Sequence, residues 1–169
     1  MSYWEAKGLS DDWFTPQAVF DALGCQFDLD VAGRPEPANC VPATDMIEHE
    51  SLETPWRGFI WMNPPFGGRN GLSPWLDKFI AHGNGIALTP DRTSAPWFQV
   101  ALPQMDAVLF TRKIRFLRPE GAEGVSPSNG TALMAMGWQG AVALNRAAGL
   151  GFGALVSPMR SYLAPRTAA

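Results

Sequence analysis

Apolar positions along the chain recur with two periods, and the switches between them mark the elements. In "FTPQAVFDALG" (14–24) Val19, Phe20 and Leu23 share one helical face. Thr15 is a suitable cap, Pro16 suits the first helical position, and Gly24 can end the helix. In "CQFDLDVAG" (25–33) Phe27, Leu29 and Val31 alternate with Asp28 and Asp30, the period of a strand closed by Gly33. Residues 34–57 lose periodicity and are rich in Pro, Glu and Asn, so they read as a long irregular connection of the kind that usually carries function. "FIWMN" (59–63) is a short, fully apolar run, as expected of a buried parallel strand.

The second half repeats the pattern. Ser73-Pro74 opens a helix through "WLDKFIAH", with Gly83 as its stop, and "GIALTP" follows as another buried strand. "SAPWFQVAL" gives a further Pro-led helix, "DAVLFTR" and "KIRFLRP" two strands, and "EGAEGVSPSNG" a loop. "TALMAMG" is a strand, "AVALNRAAG" a helix and "FGALVSP" a last strand. Strands alternating with helices predict an α/β class with a mainly parallel central sheet, the strand pairs near the end being open to antiparallel pairing. No linker or repeat interrupts the chain. It reads as one domain over 1–169, with 160–169 as a frayed tail.

Composition narrows the choice of function. At 169 residues, with 46% hydrophobic and 17% charged positions, the chain can bury one sizeable core. The formal charge of −3 confines any nucleic-acid contact to a local basic patch. Arg112, Lys113, Arg115 and Arg118 form the only such cluster. Cys25 and Cys40 have no CxxC spacing and His49 and His82 make no ligand pattern, so no metal site is predicted and the thiols read as those of a reduced, cytoplasmic protein. The N-terminus has no apolar core of a signal peptide. No apolar run approaches the ~20 residues that span a membrane.

The chemistry concentrates where "FIWMN" ends in Asn63-Pro64-Pro65-Phe66. Ligand sites in open α/β sheets lie at the carboxyl ends of strands. The two prolines restrain the backbone and push Asn63 out of the helical region. The Asn63 side chain and the Pro64 carbonyl then offer two acceptors for an amino group, and Phe66 offers a stacking face. A planar ring bearing NH₂, such as an adenine flipped out of DNA, suits this set. A strand-ending turn with Phe66 as a core plug is the structural alternative.

The ordered neighbours of this motif resemble those of the phage-type DNA N-6-adenine methyltransferases, a branch of the S-adenosylmethionine-dependent methyltransferases. The resemblance runs over most of 11–137, through "DDWFTPQAVFDAL", "FDLDVAG", Asn39, "ESLETPW", "NPPF", "LTPDRTSAPWF" and "KIRFLRP". It implies a Rossmann-like methyltransferase fold, S-adenosylmethionine as cofactor, and methyl transfer to adenine N6 in double-stranded DNA. By the same resemblance Asn63, Pro64, Pro65 and Phe66 are the catalytic motif. Trp13, Thr15, Pro16, Asp30, Ala32, Glu50 and Asn63 are implied to meet the cofactor. Arg92 and Trp97 match family positions without an assigned role. Phosphate contacts fall to Arg69, Arg112, Lys113 and Arg115. So short a chain leaves sequence readout to loops around 67–73 and 112–130, or to a second subunit in a homodimer. The family also implies the host cytoplasm, if the protein is phage-encoded, and a part in evading restriction. The chain departs from the family in Glu50, where Asp is commoner, in Phe66, where Tyr is commoner, and in "IRFLRPEG" (114–121), which replaces a Gly-Arg segment. A glutamine side-chain amide or an RNA adenine would satisfy the same acceptors. A non-catalytic DNA-binding relative is the remaining alternative.

Overall fold

The computed structural model describes residues 13–65, 71–124 and 129–158. One seven-stranded sheet forms its centre, in the order β2-β1-β3-β4-β6-β5-β7. The strands are β1 (Phe27–Asp30), β2 (Ala43–Met46), β3 (Ile60–Met62), β4 (Gly85–Pro90), β5 (Ala107–Thr111), β6 (Thr131–Met136) and β7 (Gly153–Val156). The helices are α1 (Gln17–Leu23), α2 (Ser73–His82), α3 (Pro96–Ala101), which runs into a 3₁₀ turn at Leu102–Gln104, and α4 (Trp138–Gly149).

Both faces of the central strands are covered, which explains their continuous apolar runs. On one face, Val19, Phe20 and Leu23 of α1 and Ala143, Leu144 and Ala147 of α4 pack on Phe27, Trp61, Ile86, Leu88 and Leu133. On the other, Leu76 and Phe79 of α2 and Phe98 and Ala101 of α3 pack on Leu29, Ile60, Met62, Ala87 and Met134. Gly24 and Gly83 take φ of 61° and 75°, and their N–H groups close the last turns of α1 and α2 onto Phe20 O and Phe79 O. This left-handed stop is the one a glycine allows cheaply.

Three expectations need correcting. The sheet is mixed instead of mainly parallel: β2-β1-β3-β4 pair in parallel, but β6 runs antiparallel to both β4 and β5, and β7 antiparallel to β5. The cause is the connection. No helix separates β5 from β6, so the chain turns back through 112–130 and inserts β6 between β4 and β5. Secondly, the connection 34–57 contains β2, a short edge strand whose Thr44, Asp45 and Met46 are exposed; without a buried face it lacks an apolar signature. Thirdly, "KIRFLRP" is not a strand. It makes only isolated bridges, Leu117 to Phe14 and to Glu123.

No helix among the described residues is long and apolar enough to cross a membrane. Phe66, Arg69, most of the loop 67–73 and the expected tail at 160–169 lie outside the described residues, as do 125–128.

Candidate active site

β1 and β3 are adjacent and parallel, with Asp30 beside Trp61, so the two chain segments leave the sheet at the same edge. β1 ends in Asp30 and turns through Val31-Ala32-Gly33. β3 ends at Met62 and delivers Asn63. A third segment, Trp13–Thr15, crosses this edge before α1. It is held there by paired backbone bonds, Phe14 N to Leu117 O and Leu117 N to Phe14 O, both 2.9 Å.

The three segments enclose one pocket, lined by Trp13, Phe14, Thr15, Asp30, Ala32, Arg34, Asn39, Val41, Trp61 and Asn63. Its empty volume is about 370 Å³, mouth included. Thr15 is 3% exposed and Asp30 4% exposed, so both contribute polar atoms from within the wall.

Asn63 is tied to the Trp13–Thr15 segment. Its Nδ2 donates to Thr15 Oγ1 at 3.2 Å and to Trp13 O at 3.4 Å. Thr15 therefore spends its hydroxyl across the pocket instead of capping α1. The cap position is taken by Pro16, with no side-chain hydrogen bond.

Asp30 is the pocket's carboxylate. Burial disfavours its charged form and pushes its pKa up from 3.8 to about 6, against two hydrogen bonds that lower it, from Ala32 N–H and from the Asn39 side chain. Ala32 N lies 3.2 Å from Asp30 Oδ1. A Cβ on Gly33 would lie 2.6 Å from Met46 Cβ and 3.1 Å from Asp30 Oδ2, so the turn has no space for a side chain. Asn39 also closes the loop: its Nδ2 donates to Arg34 O at 2.9 Å and its Oδ1 accepts from Val41 N at 3.0 Å.

Of the predicted residues, the pocket brings together Trp13, Thr15, Asp30, Ala32 and Asn63. Pro64 is buried behind Asn63 and Pro65 is exposed. Pro16 is half-buried at the start of α1 and does not line the pocket. Glu50 is exposed in the loop after β2, at a φ of 51°, and is also outside the lining. Arg112, Lys113 and Arg115 are exposed on the segment that follows β5, and Arg115 meets Glu123 at 3.4 Å. Arg92 is exposed, while Trp97 on α3 packs beside Phe98 with ring centroids 5.5 Å apart. Phe14, Arg34, Val41 and Trp61 line the pocket without having been assigned to it. Trp61 carried the signal of a core residue and is one, at 1% exposure, while also forming part of the pocket wall. Asn39 had only its place in the resemblance, and Arg34 only its charge next to Gly33.

The donor set suits S-adenosylmethionine. A buried carboxylate fits an ammonium or ribose hydroxyls, Arg34 is a cation for a carboxylate, and the Trp13, Phe14 and Trp61 rings supply apolar wall.

Neither a curated protein nor a solved structure matches the chain. The family model described as DNA N-6-adenine-methyltransferase (Dam) matches residues 5–143, a span that holds the whole pocket and every strand except β7. With most of its length so matched, the chain belongs to the DNA N-6-adenine-methyltransferase family.

Proposed function

We propose that this protein transfers a methyl group from S-adenosylmethionine to the N6 amino group of adenine in double-stranded DNA, with Asn63–Phe66 as the catalytic motif. The observation that carries the reading is that Asp30 and Asn63 leave adjacent parallel strands at one edge and line one pocket. On this reading a cofactor subsite and a base subsite lie side by side. The parallel half of the sheet, β2-β1-β3-β4, supports the Rossmann-like reading of the cofactor side.

Asp30, Ala32, Arg34 and the Trp13–Thr15 segment would hold the cofactor. When bound, it supplies an electrophilic methyl group on a sulfonium. The chain's own work is positional. Adenine N6 is a weak nucleophile because its lone pair is delocalised into the ring. The Asn63 carbonyl and the Pro64 carbonyl accept its two hydrogens, favour a pyramidal nitrogen and hold it for in-line attack. Phe66 stacks on the base. Transfer makes the N–CH₃ bond and breaks the S–CH₃ bond, and the N6 proton then leaves to solvent. Glu50, exposed outside the pocket, is retained as an expected contact to the cofactor's ribose or adenine amino group, and Pro16, half-buried at the start of α1, as an expected contact to its methionine part. Arg69, Arg112, Lys113 and Arg115 are read as phosphate contacts.

Incubation with tritiated S-adenosylmethionine and unmethylated duplex DNA tests this. Label recovered as N6-methyladenine supports it. Label confined to protein or RNA overturns the substrate, and no cofactor binding by calorimetry overturns the enzyme. Asn63→Ala should abolish transfer while leaving cofactor affinity within about tenfold, since one neutral hydrogen bond at the pocket wall is worth ~0.5–1.5 kcal/mol.

A further inference from the structure

Asn63 has two chemically distinct ends, and only one of them can accept a hydrogen from a substrate amine. Which end faces the substrate depends on what holds the other. The Trp13 backbone oxygen accepts and cannot donate, so the group 3.4 Å from it must be the Asn63 NH₂. The same NH₂ meets Thr15 Oγ1 at 3.2 Å. No donor among the described residues meets Asn63 Oδ1. We infer that Thr15 is a positioning residue for methyl transfer: its hydroxyl, with the Trp13 carbonyl, anchors the Asn63 NH₂ and keeps Oδ1 turned to the substrate. The inference rests on the reading of Asn63 as the acceptor of the target amine. It gives Thr15 a task separate from the cofactor contact implied by the family resemblance.

Two observations make the anchor firm. Thr15 is 3% exposed, so water competes poorly for its oxygen. The segment bearing it is clamped on its other side by the two backbone bonds between Phe14 and Leu117. Without the hydroxyl, the amide keeps one long bond to Trp13 O and can rotate, and a flipped amide would present its NH₂ to another NH₂. Serine retains the oxygen and valine removes it at nearly constant shape.

The test compares Thr15→Val and Thr15→Ser in two measurements. The first uses the protein without cofactor or DNA. In Thr15→Val the assigned Asn63 side-chain amide resonances should shift and exchange with water faster, and Thr15→Ser should bring them back. The second is single-turnover methyl transfer at saturating cofactor. The rate should fall roughly tenfold in Thr15→Val, the size of one such hydrogen bond, and recover in Thr15→Ser; saturating cofactor keeps any change in cofactor affinity out of this rate. Unchanged Asn63 resonances in a folded Thr15→Val protein overturn the anchor. A loss that appears only in cofactor affinity overturns the positioning role and leaves Thr15 as a cofactor contact. Resonances that respond in a parent protein inert toward DNA would support the anchor while sinking the proposed reaction, so the two failures are distinguishable.

Discussion

Burial takes Asp30 out of water, and its carboxyl titrates near 6 instead of 3.8. The folded protein therefore holds this proton more tightly than the unfolded chain does. Stability falls as pH rises through the window from about 4 to 6, and the loss persists above it. Asp30→Asn removes the charge while its Oδ1 can still accept from Ala32 N–H. With the cofactor absent, the variant should be more stable than the parent at pH 8 by up to roughly 3 kcal/mol, with the gap closing near pH 4. Urea denaturation at the two pH values measures it; a variant less stable at pH 8 refutes the account. Under the proposed function, cofactor affinity should fall in the same variant, because the carboxylate proposed to meet the cofactor is lost. Much of this pocket was legible in the chain. Asp30 stood out as a polar residue closing an apolar strand, and Asn63 as one aimed by two prolines. Arg34 and Val41 were not legible, because residues in the 31–42 loop reach the pocket through Asn39's hydrogen bonds, which leave no periodic trace.

α1 and α2 were readable because each carries its glycine stop signal. α2 runs from Ser73 to His82 and ends at Gly83, as Ser-Pro and Gly predict. What α2 does for the site is less visible in sequence. Lys78 sends its ammonium into the loop before β3, where it donates to Ser51 O and Leu52 O at 2.8 Å and to Thr54 O at 2.6 Å. It also lies 4.7 Å from the centre of the Trp56 ring. Trp56 Nε1 donates back to Ser51 O at 3.0 Å. Three carbonyls on one cation tie 51–56 to the helix, and this loop feeds β3 and hence Asn63. Lys78→Met keeps the stem and loses the donors. It should cost about 2 kcal/mol, the usual worth of hydrogen bonds to a charged group, and raise hydrogen exchange over 50–57. Unaltered exchange there would show that the loop holds its shape without the lysine. β2 and the segment 112–118 were misread for related reasons. β2 is polar because it forms an edge, and 112–118 alternates because Ile114 and Phe116 are buried in the core on the α1 and α4 side of the sheet, while its Leu117 makes only isolated bridges.

The whole molecule carries a formal charge of −3, so a DNA duplex meets net repulsion except where cations gather. β5 points the same way as β3, since β6 is antiparallel to β4 and to β5. Residues 112–118 therefore emerge at the edge that holds Asn63, and the Phe14–Leu117 bonds fix them beside the pocket. Arg112, Lys113 and Arg115 are exposed there. The Arg115–Glu123 pair, 71% and 68% exposed, is the weak surface kind that a phosphate can replace. If these three cations each meet a phosphate, replacing all three by alanine should lower the slope of log affinity against log salt by up to about 3, roughly one per contact. Weakening should be similar for any duplex sequence, and cofactor affinity should stay unchanged, since none of the three lines the pocket. Arg57 is a fitting control. It precedes β3 at the opposite end of that strand and pairs with Asp45 at 2.7 Å, so Arg57→Ala should leave the slope as it was. Equal slopes for the triple variant and the parent would mean that the duplex does not rest on 112–118, and that an acidic molecule approaches its substrate by another face.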